Sequence, residues 1–295
     1  GFQRQAGDAP TIQGAVERAL RAVTGQQPTV RGAGRTDSGV HATGQVIAFD
    51  VDWAHSEAAL GRAINAHLPH DIALWTVVQH EGFHPRFDAL SRTYVYTVAL
   101  APHRLPLMRD RAWWLRAGLD GSAMQQAAEK LMGRRDFAAF GQPPQGTNTV
   151  RTVFTSQWAA ADRPGYTEWV YTIEADAFLQ HMVRRIVGAL VDVGQGSLTL
   201  DAFAALLERA VLRPKGSIAP PQGLVLEYVR YANWGTTPFW AGSKGGDPPG
   251  GGKKRGTEKP PPPPPRRYRA QVVGGGRGGS NTWASRHESR LDPAR

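Results

Sequence analysis

Helix-like and strand-like patterns alternate along the chain up to Tyr231, and this alternation limits the possible folds more than any other feature. In the first half, Thr11 can cap a helix whose apolar residues all fall on one face. This half predicts a helix, two strands, a helix and a strand, at residues 12–23, 29–31, 46–51, 56–66 and 72–78. A strand ahead of Thr11 would complete a βαββαβ unit, and only Gly1–Ala6 remains in that place.

The second half shows a similar order of patterns, although no sequence repeat is detectable. Strands are predicted at 93–100, 153–158, 167–175 and 224–231, and helices at 120–133, 179–193 and 199–212. We therefore predict an α+β protein with two ferredoxin-like domains, residues 1–89 and 90–232, and a cleft between them.

Residues 233–295 differ from the rest of the chain because proline and glycine dominate them. They include the runs Gly250–Gly252, Pro260–Pro265 and Gly274–Gly276. Such a segment buries too little apolar surface to offset the entropy lost on ordering, so we predict a disordered basic tail. Its removal is expected to leave the fold intact. The alternative is an arm that adds unspecific affinity for RNA.

The net charge of +10 belongs mainly to this tail. Residues 1–232 carry 23 basic and 21 acidic side chains, whereas residues 233–295 carry 12 and 4. Charge alone therefore does not establish nucleic-acid binding by the folded part. The chain has no cysteine, which excludes disulfides and thiolate chemistry and fits a cytoplasmic protein. No apolar run is long enough to cross a bilayer, so we expect no membrane span.

The segment Gly32–Ala42 carries the most informative chemistry. It reads Gly-Ala-Gly-Arg-Thr-Asp-Ser-Gly-Val-His-Ala and lies between two predicted strands. Its glycines allow a close approach of a ligand to the backbone, and the carboxylate of Asp37 lies at its centre. A strand rather than a helix follows, which excludes a dinucleotide fingerprint. Asp-Ser-Gly is also a favourable turn, so the pattern alone leaves a structural role open.

Seven motifs in order resemble those of the tRNA pseudouridine synthase A family. The loop matches its Gly-Arg-Thr-Asp-x-Gly-Val-His-Ala signature. The other matches are 1–5, 65–72, 83–87, 92–96, 178–184 and 223–226. Two residues depart from the family pattern, since Ser38 replaces an alanine and Phe2 replaces a tryptophan. The Tyr-Asp-Gly strand that precedes Gly1 in the family is absent, and the tail is atypical.

The resemblance implies an enzyme that converts uridine to pseudouridine at positions 38, 39 and 40 in the anticodon arm of tRNA. It assigns Asp37 as the catalytic residue, Tyr94 as the aromatic partner of the target base and Arg184 as the partner of the aspartate. The residue patterns alone favour other roles for two of these. Tyr94 fits a cross-strand aromatic, and Arg184 lies opposite the apolar stripe of its helix, where it would face solvent.

Further RNA contacts are expected from Arg35, His41 and Arg86. The resemblance suggests that Arg35 helps to open the RNA, and His41 and Arg86 fit phosphate contacts. Hydrogen bonds within their own loops are the alternative. The family also implies a homodimer, no cofactor and no metal. Two other hypotheses stay open: a tRNA-binding protein without catalysis on the same fold, and an inactive truncated fragment.

Overall fold

The computed structural model describes residues 1–5, 9–116, 118–143, 146–208, 216–232 and 266–274. Within these residues five helices and ten strands form a mixed α/β structure, as the sequence predicts. The helices are α1 (Ile12–Thr24), α2 (Glu57–Asn65), α3 (Gly121–Glu129), α4 (Met182–Gly194) and α5 (Leu200–Leu206). The strands are β1 (Arg31–Gly32), β2 (His41–Val51), β3 (Ile72–Gln79), β4 (Ala89–Leu100), β5 (Trp113–Leu115), β6 (Gly133–Asp136), β7 (Val150–Arg163), β8 (Tyr166–Ala175), β9 (Leu224–Tyr231) and β10 (Arg266–Gly274).

One continuous sheet contains all ten of these strands. Its main path runs β3-β10-β2-β9-β4-β8-β7-β6, while β1 pairs with β2 and β5 pairs with β4. The two halves of the chain meet at a short parallel pairing of β2 with β9, in which His41 opposes Val225 and Ala42 opposes Leu226. Gly44 permits this approach, because a Cβ there would lie 2.1 Å from the Glu227 carbonyl oxygen.

Strand β2 is buried on both faces, which explains its almost unbroken apolar run. Ile47, Phe49 and Val51 belong to a core that also contains residues of α1, α2, β3 and β10. Val46 and Ala48, which point to the opposite face, belong to a larger core built mainly from the second half of the chain. A strand shared by two cores fixes the position of the Gly32–Ala42 loop that leads into it.

The helix starts follow the predicted capping residues. The side chains of Thr11, Ser56 and Asp120 accept hydrogen bonds from the backbone N–H groups of Gly14, Ala59 and Ala123. Each bond satisfies a donor that the first turn leaves without a helical partner. Helix α4 is the exception, because it begins at Met182 rather than Leu179 and its capping position, His181, makes no side-chain cap.

The prediction of a disordered tail is wrong for residues 266–274. They form β10, which pairs antiparallel with β2 on one side and with β3 on the other. In a βαββαβ unit the first strand lies between the third and the fourth, and β10 occupies that place. Tyr268, Ala270 and Val272 are buried in the core with α1 and α2. Residues 233–265 and 275–295 lie outside the described part of the chain.

No helix in the described ranges is both long and apolar enough to span a bilayer.

Candidate active site

The Gly32–Ala42 loop is held in place by hydrogen bonds to buried side chains. The Gln45 amide donates to the Gly34 carbonyl at 2.8 Å and accepts from the Gly34 N–H at 3.4 Å. Val40 N–H donates to the Asp37 carbonyl at 3.2 Å, closing the turn that presents the carboxylate. Gly39 has φ +85°, a conformation that favours glycine. The signature glycine is thus required by the turn that follows Asp37.

Arg184, in the first turn of α4, forms an ion pair with Asp37. Its Nη1 donates to Asp37 Oδ2 at 2.9 Å, and its Nε donates to the Ala219 carbonyl at 2.8 Å. The arginine side chain is 16% exposed and the aspartate side chain 34% exposed. The carboxylate is therefore open to a ligand on one side, while the guanidinium is fixed from behind. The pair joins residues 147 positions apart in the sequence, and the role of Arg184 in the reaction remains a prediction.

The segment behind Arg184 approaches α4 very closely. Ala219 N–H donates to the Arg184 carbonyl at 3.0 Å, so residues 184 and 219 are linked in both directions. Gly188, one turn later, makes room for this segment, because a Cβ there would lie 2.1 Å from the Ser217 carbonyl oxygen. The guanidinium is thus oriented by backbone groups that a larger residue at 188 would displace.

His181 is a second neighbour of Asp37 that the sequence analysis left without a role. Its Nε2 lies 3.4 Å from the same Oδ2 that Arg184 contacts. Its φ of +60° makes it the one non-glycine residue with positive φ in the described part of the chain. Such backbone conformations cost energy and often occur at functional sites. Its place three residues before Arg184, in the 178–184 motif, was the available signal.

Tyr94 on β4 lies next to the aspartate loop. A Cβ added to Gly34 would lie 3.8 Å from the Tyr94 hydroxyl oxygen. The ring packs edge-on against Phe178 with centroids 5.1 Å apart. Burial raises the pKa of Tyr94 to about 12, with Arg92 lowering it and Asp37 raising it. The phenol therefore stays protonated near neutral pH, beside a carboxylate close enough to influence it.

Tyr96, two residues along the same strand, differs from Tyr94 in its surroundings. Its hydroxyl donates to the Pro220 carbonyl at 2.8 Å, and burial raises its pKa. Both tyrosines of the Arg-x-Tyr-x-Tyr motif belong to the same core, and Tyr94 is the one whose hydroxyl lies beside the aspartate loop.

Arg92 of the same motif donates hydrogen bonds to four backbone carbonyls. Its guanidinium donates to the carbonyls of Ala33, Arg86, Ala89 and Asp176 at 2.6 to 3.3 Å. Burial lowers the pKa of Arg92, and the neighbouring Tyr231 and Tyr94 partly counteract that shift. The bond to Ala33 ties the aspartate loop to the strand that carries Tyr94, so Arg92 positions one against the other.

The three expected RNA contacts have different surroundings. Arg35 and Arg86 are exposed on the loops at either side of the site, and Arg86 lies 5.8 Å from the Phe87 ring centroid. His41 Nε2 lies 2.6 Å from the Asp110 carbonyl, which agrees with the alternative of a local hydrogen bond. All three remain predictions as RNA contacts.

The arrangement offers one oriented carboxylate, a fixed guanidinium and a buried aromatic ring with a neutral hydroxyl. Within the described ranges, no three His, Cys, Asp or Glu side chains are grouped so that they could hold a metal ion. A carboxylate in such a setting can attack a carbon centre or accept a proton.

Comparison with known proteins gives a consistent result. A family model described as tRNA pseudouridine synthase matches residues 1–88 and 127–232. Residues 89–126, which include Tyr94, are outside the match. A protein of Neisseria gonorrhoeae named tRNA pseudouridine synthase A is 42% identical over 238 residues, covering 78% of this chain and 86% of its own. Proteins of the same name from Chloroflexus aurantiacus and Roseiflexus castenholzii are 41% and 39% identical, over 76% and 75% of this chain and 81% and 82% of their own.

Proposed function

The chain belongs to the tRNA pseudouridine synthase family, and we propose that it isomerises uridine at positions 38, 39 and 40 of tRNA with Asp37 as the catalytic residue. The observation that carries this proposal is the ion pair between Asp37 and Arg184 beside Tyr94. It joins residues from three separate motifs around one open carboxylate.

The reaction breaks the N1–C1′ bond of uridine, turns the uracil and rejoins it to the sugar through C5. The hydrogen on C5 leaves as a proton, so no redox change occurs. Asp37 serves either as nucleophile or as the base that removes a proton, and both roles need an ionised carboxylate. The guanidinium of Arg184 favours that form and fixes its orientation.

Tyr94, whose hydroxyl lies beside the aspartate loop, is the proposed aromatic partner of the target base. A uridine inside a stem must leave the base stack, and an aromatic face compensates for the stacking that it loses. The proposal also includes a homodimer that contacts one tRNA arm with both subunits, and a cytoplasmic location.

Tritium release tests the proposed reaction directly. In tRNA labelled at C5 of uracil, each uridine that rejoins through C5 should release its tritium to water. A matched transcript with cytidine at positions 38, 39 and 40 should release none. Tight binding of tRNA without release would instead support the hypothesis of a tRNA-binding protein without catalysis.

Two adjacent arginines give a sharper test of the site. Arg184→Met should lower turnover about 100-fold, or about 2.7 kcal/mol in the barrier. Without the guanidinium, Asp37 loses the partner that favours its ionised form and fixes its orientation. Arg184→Lys should recover only part of the activity, because it lacks the planar fork.

Arg185→Met is the matched control for this substitution. The Arg185 side chain forms no ion pair or hydrogen bond with the part of the chain that the structure describes. Its turnover should stay close to that of the parent. Equal losses at 184 and 185 would show that the contact with Asp37 does not govern the reaction.

A further inference from the structure

An open pocket of about 550 Å³ lies beside the connection between β4 and β5. Pro102, His103, Arg104, Trp114 and Arg116 line it. Neither Arg104 nor Arg116 forms an ion pair or a hydrogen bond with any residue in the described ranges, and both are exposed. The pocket therefore presents two cationic side chains that nothing in this part of the protein neutralises.

The connection that forms the pocket is strongly basic. Residues 101–116 contain four arginines, and among the described residues only Arg109 of these is paired with a carboxylate, that of Asp110 at 2.9 Å. Elsewhere in residues 1–232 basic and acidic side chains nearly balance. A local excess of positive charge on an otherwise balanced body attracts phosphate groups to one place.

Trp114 gives the pocket a rigid aromatic wall. Its Nε1 donates to the Ala101 carbonyl at 3.1 Å, and its backbone pairs with Ala99 of β4. The Arg116 guanidinium lies 5.9 Å from the Trp114 ring centroid. A ring held in this way loses little conformational freedom when a base stacks on it, and stacking is worth about 1–3 kcal/mol per base.

The β4–β5 connection that forms the pocket also contacts the aspartate loop, through a residue outside the pocket lining. His41, four residues after Asp37, contacts the Asp110 carbonyl through Nε2 at 2.6 Å. The basic connection is therefore held against the end of the loop that presents the catalytic carboxylate.

We propose that this pocket binds one phosphate and the adjoining base of the tRNA, at a nucleotide other than the reacting uridine. Arg104 and Arg116 bind the phosphate, and the base stacks on Trp114. The site holds the RNA strand on one side of Asp37 while the target uridine is out of the stack. This inference rests on the proposed function, because it takes tRNA as the ligand.

The test measures tRNA affinity as a function of salt. In the double variant Arg104→Met with Arg116→Met, the Kd for tRNA should rise about tenfold. The slope of log K against log salt should fall by about 1, as expected for the loss of one phosphate contact. Trp114→Ala should raise the Kd at all salt concentrations, and Trp114→Phe, which keeps an aromatic face, should restore most of the affinity.

The control removes the same charge elsewhere. Arg18→Met with Arg21→Met changes two exposed arginines on α1, and should alter neither the Kd nor the salt slope beyond twofold. Circular dichroism checks that each variant is folded. An unchanged Kd in the Arg104 and Arg116 variant, or an equal effect in the α1 control, would contradict the proposal that this pocket binds tRNA. Absence of tritium release by the parent protein would instead overturn the proposed function.

Discussion

Asp37→Asn should abolish tritium release from tRNA while tRNA affinity stays within a few fold of the parent. Asparagine keeps the size of the side chain and can still accept the hydrogen bond from Arg184, at 2.9 Å in the parent. It carries no charge, so it is neither a nucleophile nor a useful base. Loss of a group that acts directly on the reacting atoms reduces turnover by about 10⁴-fold or more.

The neighbouring residue supplies the control for this substitution. Ser38 is exposed in the same turn, and the family signature has alanine at this position. Ser38→Ala should therefore leave turnover within about twofold, a range typical of exposed positions. Turnover of Asp37→Asn within tenfold of the parent would exclude Asp37 as the catalytic residue.

Local sequence rules predicted the parts of the fold that depend on neighbours in the chain. Thr11, Ser56 and Asp120 each cap a helix through a hydrogen bond to the residue three positions later. These three helix starts could therefore be predicted from the local sequence. Strand β9 was likewise predicted with the bounds Leu224–Tyr231 that the structure shows. Apolar periodicity and a capping side chain are short-range signals, and they were sufficient here.

The site itself depended on contacts that local patterns do not reveal. The helical pattern placed Arg184 opposite the apolar stripe and so predicted exposure, whereas its side chain is only 16% exposed. Its contacts are Asp37, 147 residues away, and the Ala219 carbonyl, 35 residues away. The resemblance to a family supplied that partner. The resemblance assigned no role to His181. Its position next to Asp37 depends on a backbone conformation with positive φ, which the sequence does not indicate.

Strand β10 was missed for a different reason. The average composition of residues 233–295 indicates disorder. Within them, however, β10 shows the alternation of a strand, with the apolar residues Tyr268, Ala270 and Val272 at every second position. A short alternating segment between proline and glycine runs contributes little to such an average. Its partners, β2 and β3, lie about 200 residues earlier in the chain, so no local rule identifies them.

Strand β10 contributes both hydrogen bonds and buried surface to the first half of the protein. Tyr268 is 2% exposed and stacks on Phe49 with ring centroids 5.9 Å apart. Arg267, opposite Asp50 in the ladder, donates to both oxygens of its carboxylate at 2.7 and 3.2 Å. Without β10, both β2 and β3 would have an unpaired edge, and the core beneath α1 and α2 would lose one wall.

Truncation after residue 265 should therefore unfold the first half of the protein and abolish turnover with it. A strand with two ladders and three buried side chains accounts for a large part of the roughly 5–15 kcal/mol that stabilises a domain. The control is truncation after residue 274, which keeps every β10 pair. Thermal denaturation and hydrogen exchange of β2 and β3 are the measurements. Equal melting temperatures for the two truncations would show that β10 does not support this sheet.

A single substitution should reproduce the effect in part. Tyr268→Ala removes a fully buried ring and should lower the free energy of unfolding by about 3–5 kcal/mol. Arg266→Ala, on the same strand but exposed, removes only a contact with the Tyr268 hydroxyl and should change it by less than about 1 kcal/mol. Because the aspartate loop leads directly into β2, turnover of Tyr268→Ala should fall in step with its folded fraction. A Tyr268→Ala protein as stable as Arg266→Ala would mean that β10 is not packed in the core.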